Sequence, residues 1–167
     1  MSTHLDVSEG AEPDIAAISL FLWELWRESG PDSPGLTGAT EEVIAEIAAP
    51  DAIRARIGGP ERRMFLARAE KAVVGFAATR AIDPAQIELA GIMVLQRMIG
   101  KHIGTPLVEA AISSARQHGF KLMTVSTEAD NDRAIRFYQS RGFVIRGSST
   151  EDVEGTQVPI VELERPL

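Results

Sequence analysis

Ile92-Met93-Val94-Leu95-Gln96-Arg97-Met98-Ile99-Gly100-Lys101-His102-Ile103-Gly104-Thr105-Pro106-Leu107 is the stretch on which the fold turns. An apolar strand, Ile87 to Leu95, runs into a glycine-containing turn and then directly into a helix reaching about His118. Ile103, Leu107, Ala111, Ile112 and Ala115 recur at helical spacing, which gives that helix one inner face. The junction leaves backbone N–H groups unpaired beside the positive end of the helix dipole, an arrangement suited to an anion and best to phosphate. Gly100 and Gly104 let backbone approach a ligand closely, and Lys101 adds charge at the mouth. The same glycines equally fit a tight strand-to-helix turn with no ligand. Two common phosphate motifs do not apply: Gly100-Lys101-His102 offers no hydroxyl for a P-loop, and the three glycines and repeated βαβ order of a dinucleotide fingerprint are missing.

Upstream, residues 63–68 and 72–80 form two strand candidates joined through Ala69-Glu70-Lys71 as a hairpin. Ala72-Val73-Val74-Gly75-Phe76-Ala77-Ala78 is apolar on both faces, so it belongs inside a sheet with helices on both sides. Ile15, Ile18, Leu22, Leu25 and Trp26 predict an amphipathic helix from Pro13 to Ser29, followed by a loop from Gly30 to Gly35. Thr40 caps a second helix carrying Val43, Ile44 and Ile47 and ending before Pro50, and a short turn with Ile53 and Ile57 closes at Gly58-Gly59-Pro60. Downstream come a strand at Lys121–Thr127, a helix from about Asn131 to Ser140, and strands near 143–147 and 157–164, the last placed at an edge or bulge by Pro159. The order predicts an α+β (mixed α/β) fold around one sheet.

A chain of 167 residues, 44% hydrophobic and 25% charged, has the size and balance of one globular domain. It has no cysteine, which removes disulfides, zinc ribbons and thiol nucleophiles and fits a cytoplasmic location. Twenty-four acidic against 17 basic residues give a net charge of -7, which opposes nucleic-acid binding. Met1 to Gly10 is polar and acidic, and the apolar stretch Ile15 to Trp26 is interrupted by Glu24 and too short for a bilayer; neither targeting nor membrane contact is expected. His4, His102 and His118 lack ligand spacing, so no metal is expected, and Ser113-Ser114 lies inside a helix without the glycines of a nucleophile elbow.

The second informative stretch, Asn131-Asp132-Arg133-Ala134-Ile135-Arg136-Phe137-Tyr138-Gln139-Ser140-Arg141-Gly142-Phe143, reads as a short helix capped by Gly142 and leading into a strand. Tyr138 is the only tyrosine. With the first stretch, and in this order, it resembles the GNAT superfamily of N-acyltransferases, over about residues 63 to 163. The hallmarks are Glu88-Leu89 on the strand, Val94 at its end, Gly100 to Thr105 as the pyrophosphate loop, and Asn131, Ala134, Tyr138 and Gly142-Phe143. The loop departs from the family pattern. Where members usually carry Arg or Gln, then Gly, then Gly or Ala, this chain has Ile99, His102 and Gly104, and His102 must take up the backbone angles that glycine normally supplies.

The resemblance implies a single GNAT-like domain over residues 1–167, with a central mixed, mostly antiparallel twisted sheet of six to seven strands flanked by about four helices. It implies acetyl-CoA as co-substrate, held by Ile92, Met93, Val94, Ile99, Gly100, Lys101, His102, Ile103, Gly104, Thr105, Asn131 and Arg133. Tyr138 is the expected general acid for the departing thiolate and Glu88 the expected base, directly or through water. A core aromatic and an outward-facing carboxylate are the plainer readings of these two residues. The acceptor expected is a small-molecule or peptide amine entering beside the N-terminal helices. There Trp23, Trp26, Glu24, Glu28 and Asp32 read either as a rim for a cationic amine or as a core aromatic with a solvated acidic face. A homodimer is compatible with the sequence. The rival reading is a non-catalytic acyl-CoA-binding module of the same fold.

Overall fold

The doubly apolar segment does lie inside a sheet. The computed structural model describes residues 4–29, 39–153 and 155–167, so the loop expected at Gly30 to Gly35 falls outside the described residues. Seven strands, β1 (Leu5–Glu9), β2 (Arg62–Ala69), β3 (Ala72–Ala81), β4 (Gln86–Val94), β5 (Leu122–Glu128), β6 (Val144–Val153) and β7 (Thr156–Pro166), form one sheet in the order β1-β2-β3-β4-β5-β7-β6. Every neighbouring pair is antiparallel except β4 and β5. The helices are α1 (Ile15–Ser29), α2 (Glu41–Ile47), α3 (Pro50–Arg54), α4 (Gly104–Gln117) and α5 (Asp132–Ser140). None of the described helices is long and apolar enough to cross a membrane.

Adjacent residues of β3 explain how both faces are covered. Phe76 meets Phe21 of α1 edge-on, with ring centroids 5.5 Å apart. A Cβ on neighbouring Gly75 would lie 3.2 Å from Ile103 and 3.3 Å from Leu107 of α4, and 3.0 Å from the Met93 carbonyl. Successive strand residues point to opposite faces, so α1 and α4 sandwich the sheet here. The inner face expected for α4 is buried as expected, with Val108 added to it. Thr40 caps α2 by accepting from the Val43 N–H.

Several expectations need correction. The N-terminal segment contains a strand: β1 pairs with β2 from Leu5↔Ala69 to Glu9↔Phe65, and Leu5 and Val7 pack on the core, so pairing orders a stretch too polar to announce itself. The five helices among the described residues agree with the expected number of about four; the short turn expected around Ile53 is helix α3, which Pro50 opens, since proline is preorganised for a first helical turn. α1 itself starts at Ile15, after a 3-10 turn at Glu12–Asp14. Strand β7, expected at an edge or bulge, is interior, and the irregularity in its pairing with β6 falls at Ile145/Gly147 rather than at Pro159. Pro159 lies one residue beyond the last β5 pair, Glu128↔Ile160, and opposite Thr150 of β6; its carbonyl still accepts from the Ala129 N–H at 2.9 Å, a bond that the missing proline N–H does not affect. The edge is β6, which runs to Val153, beyond the expected 147.

The Gly75 contacts make a measurable claim. Gly75→Val should lower unfolding free energy in urea by about 1–3 kcal/mol through overpacking. At Gly91 a Cβ would meet nothing, so Gly91→Ala should leave stability equal or raise it by up to about 1 kcal/mol.

Candidate active site

Strands β4 and β5 pair over only three positions, Gln86↔Leu122 to Glu88↔Thr124, and then part. From Leu89 onward β4 holds to β3 alone while β5 holds to β7, which opens the sheet into a wedge. A cavity of about 430 Å³ lies against this opening. Strand β4 contributes Ile92, Met93 and Val94; the turn after it contributes Gln96, Met98, Ile99, Gly100 and His102; Ile103, Gly104 and Thr105 lead into α4. On the other side stand Asn131 and, from α5, Arg133, Ala134, Phe137 and Tyr138, while Leu25 reaches in from α1.

The N-terminus of α4 suits an anion. Its N-cap, Ile103, makes no side-chain hydrogen bond to the helix, so the first-turn N–H groups of Gly104 and Thr105 lack both an intrahelical partner and a side-chain cap. His102 sits at φ +58°, the left-handed geometry expected if it stands in for glycine, and Gly100 at φ +84°. A Cβ on Gly104 would lie 3.2 Å from the Phe137 ring, so this glycine lets α4 and α5 meet across the opening.

Helix α5 is fixed at both ends. The Asn131 carboxamide accepts from the Ala134 N–H at 3.1 Å. At the other end the N–H groups of Gly142 and Phe143 donate to the carbonyls of Gln139 and Tyr138, a Schellman closure with Gly142 at φ +88°. It brings the Phe143 ring to 5.7 Å from that of Tyr138, which also meets Phe137 at 5.4 Å. Tyr138 is therefore both a packed aromatic, 8% exposed, and a cavity residue. Among the described residues its hydroxyl has no hydrogen-bond partner, and burial pushes the phenol up to about 12. It stays protonated at neutral pH, as a proton donor must.

Two expected site residues stand apart from the cavity lining. Glu88 is held by Arg80, whose Nη2 lies 2.6 Å from Oε2, at the point where β4 and β5 are still paired. Lys101 is exposed and is not among the residues that line the cavity. The acidic rim is also altered. Glu24 and Glu28 both pair with Arg97, Trp26 donates to the Ala39 carbonyl at 3.1 Å, and Trp23 and Trp26 pack on the core; Asp32 lies outside the described residues. Sequence reasoning missed Leu25, Gln96, Met98, Ala134 and Phe137 as lining. All but Leu25 lie inside the two informative stretches, whereas Leu25 has no local signal beyond its place on an amphipathic helix.

Because Tyr138 is the sole tyrosine, phenolate absorbance reports it alone. Half-ionisation is expected at about 12 in the native protein and near 10 after unfolding. The unfolded chain releases this proton first, so the stability tied to the neutral phenol is complete below about pH 10 and is lost as pH rises through 12. Tyr138→Phe should remove that part of the alkaline destabilisation. A native titration near 10 would show an exposed phenol.

The chain was compared with known proteins. An uncharacterized N-acetyltransferase of Mycobacterium tuberculosis is 29% identical over 91 residues, covering 54% of this chain and 58% of that protein, so the match spans less than two thirds of its relative. A GNAT-family acetyltransferase from Streptococcus pneumoniae superposes with a TM-score of 0.76 at 22% identity, covering 98% of this chain and 100% of that one. The PaiA N-acetyltransferase of Thermoplasma acidophilum, solved in complex with coenzyme A, gives 0.72 at 18% identity over 100% of both chains. These two likenesses speak for the fold. The profile of the acetyltransferase (GNAT) family matches residues 20–143, most of the chain and all of the cavity lining, and the protein belongs to that family.

Proposed function

We propose that the protein transfers an acetyl group from acetyl-CoA to a primary amine, with Tyr138 as general acid. The observation that carries this reading is the parting of β4 and β5, beside which three things line one cavity: the unpaired edge of β4 at Ile92 to Val94, the uncapped start of α4, and Tyr138. The N–H groups at the start of α4, with Gly100 and His102 in left-handed geometry before them, suit a pyrophosphate. The strand edge suits the amide-bearing pantetheine arm, which would pair with it as another strand does. A structural relative solved in complex with coenzyme A supports coenzyme A as the kind of ligand this fold takes.

In the transfer, the amine nitrogen forms a bond to the thioester carbonyl carbon, the carbon–sulfur bond breaks, the leaving thiolate takes the phenolic proton, and the phenolate regains a proton from solvent. A phenol that burial keeps protonated is matched to that last step. The amine loses its own proton to solvent, and Glu88, outside the cavity lining, would take part only through intervening water. The retained phenol favours catalysis over the non-catalytic acyl-CoA module.

Release of free thiol from acetyl-CoA, followed across an amine panel, tests the reading. Tyr138→Phe should fold and bind acetyl-CoA as the parent does but turn over about 10²–10⁴-fold more slowly; unchanged turnover with chemistry rate-limiting would return Tyr138 to a packing role. Thr105→Asp puts an anion in the first turn of α4, where it suits the helix but repels phosphate. Acetyl-CoA affinity should drop about tenfold or more, a loss of 1.4 kcal/mol. Full affinity would place the pyrophosphate elsewhere. Gly104→Asp is the poorer probe, since its Cβ would strike Phe137 whatever binds.

A further inference from the structure

One wall of the cavity is built by α1 and the turn after β4, away from the anion-suited start of α4. Leu25 and Met98 give it hydrocarbon and thioether surface, and Ile92 and Met93 continue that surface along β4. Immediately behind it is a charged clasp. Arg97, between the lining residues Gln96 and Met98, donates from Nη2 to Glu24 Oε1 at 2.6 Å and from Nη1 to Glu28 Oε1. Glu28 Oε2 also accepts the Gln96 N–H at 2.7 Å. Glu24 and Glu28 flank the lining residue Leu25 on α1 and are not themselves part of the lining; both are engaged by one guanidinium and the backbone beside it.

We propose that Arg97 is a specificity-determining residue: by holding Glu24 and Glu28 it keeps this wall apolar and selects an acceptor with a single cationic amine on an apolar body, excluding polyamines. The inference rests on the reading of the cavity as an amine acetylation site. The two carboxylates and one guanidinium leave one net negative charge, the complement of one ammonium. A polycation would have to displace Arg97 from charge-assisted hydrogen bonds that are already formed, and its further charges would face hydrocarbon. Side chains of Glu24 and Glu28 are 36% and 19% exposed, and removing the guanidinium would leave two unpaired carboxylates beside the lining residues Leu25 and Gln96. Specificity here comes from masking an attractive element.

Calorimetric titration with spermidine and with 2-phenylethylamine, both in the presence of CoA, reads this without turnover. The parent should bind 2-phenylethylamine more tightly than spermidine. Arg97→Met, which keeps length and removes charge, should bind spermidine about tenfold or more tighter than the parent, and adding Glu24→Gln should cancel the gain. Arg97→Lys should behave as the parent does. Equal spermidine affinity in the parent and Arg97→Met, or a parent that prefers spermidine, would overturn the inference; the parent comparison stands even if Arg97→Met does not fold. Absence of thiol release with every amine would count against acetyl transfer and leave these binding results to judge Arg97.

Discussion

Three residue pairs join β4 to β5, and the site depends on there being no more. Were the pairing to continue past Glu88↔Thr124, the β4 edge would be consumed by β5 and no wedge would remain beneath α4 and α5. The opening costs the sheet its backbone hydrogen bonds along that edge. The loss is tolerable because each strand keeps its other neighbour: β4 pairs with β3 through Val94, and β5 with β7 over its whole length. Unsatisfied strand edges are binding surfaces by nature, and this one is shielded from a second chain by the helices on either side.

Holding the wedge open requires the two helices at its rim to sit very close to the sheet and to each other. Gly75 and Gly104 provide the space, the first under Ile103 and Leu107, the second against Phe137. Neither glycine has the left-handed geometry that makes glycine necessary in a turn; both serve by lacking a Cβ. The Schellman closure at Gly142 then fixes the end of α5 and seats Tyr138 between Phe137 and Phe143. The packing that orders the ring also buries most of the residue, so the phenol's raised pKa follows from the way the helix ends.

The clasp between Arg97, Glu24 and Glu28 ties α1 to the turn that carries β4 into α4. Exposed ion pairs contribute little stability, and this one is half exposed on the arginine side. Its larger effect is on the electrostatics beside the cavity wall, where it reduces two carboxylates to a single net negative charge.

The sequence by itself determined the elements, the mixed sheet and the two stretches that build the site, because strand-turn-helix junctions, glycine caps and apolar periodicity are local properties. Left-handed His102 and capped α5 were both legible there, as were Ile99, Gly100 and His102 in the turn after β4 and Arg133 and Tyr138 on α5 as lining, though not their neighbours Gln96, Met98, Ala134 and Phe137. Tertiary structure alone decided the rest. Strand β1 forms because β2 offers an edge, β7 lies inside the sheet because β6 folds back beyond it, and Leu25 lines the cavity because α1 packs over β3. The fate of the charged residues was equally beyond local pattern. Glu24 and Glu28 read as available until Arg97, some seventy residues on, is brought to them, and Glu88 read as a base until Arg80 of the neighbouring strand is found opposite it. An ionisable side chain carries its chemistry in its type but its state in its partners, and partners distant in sequence are supplied by the fold.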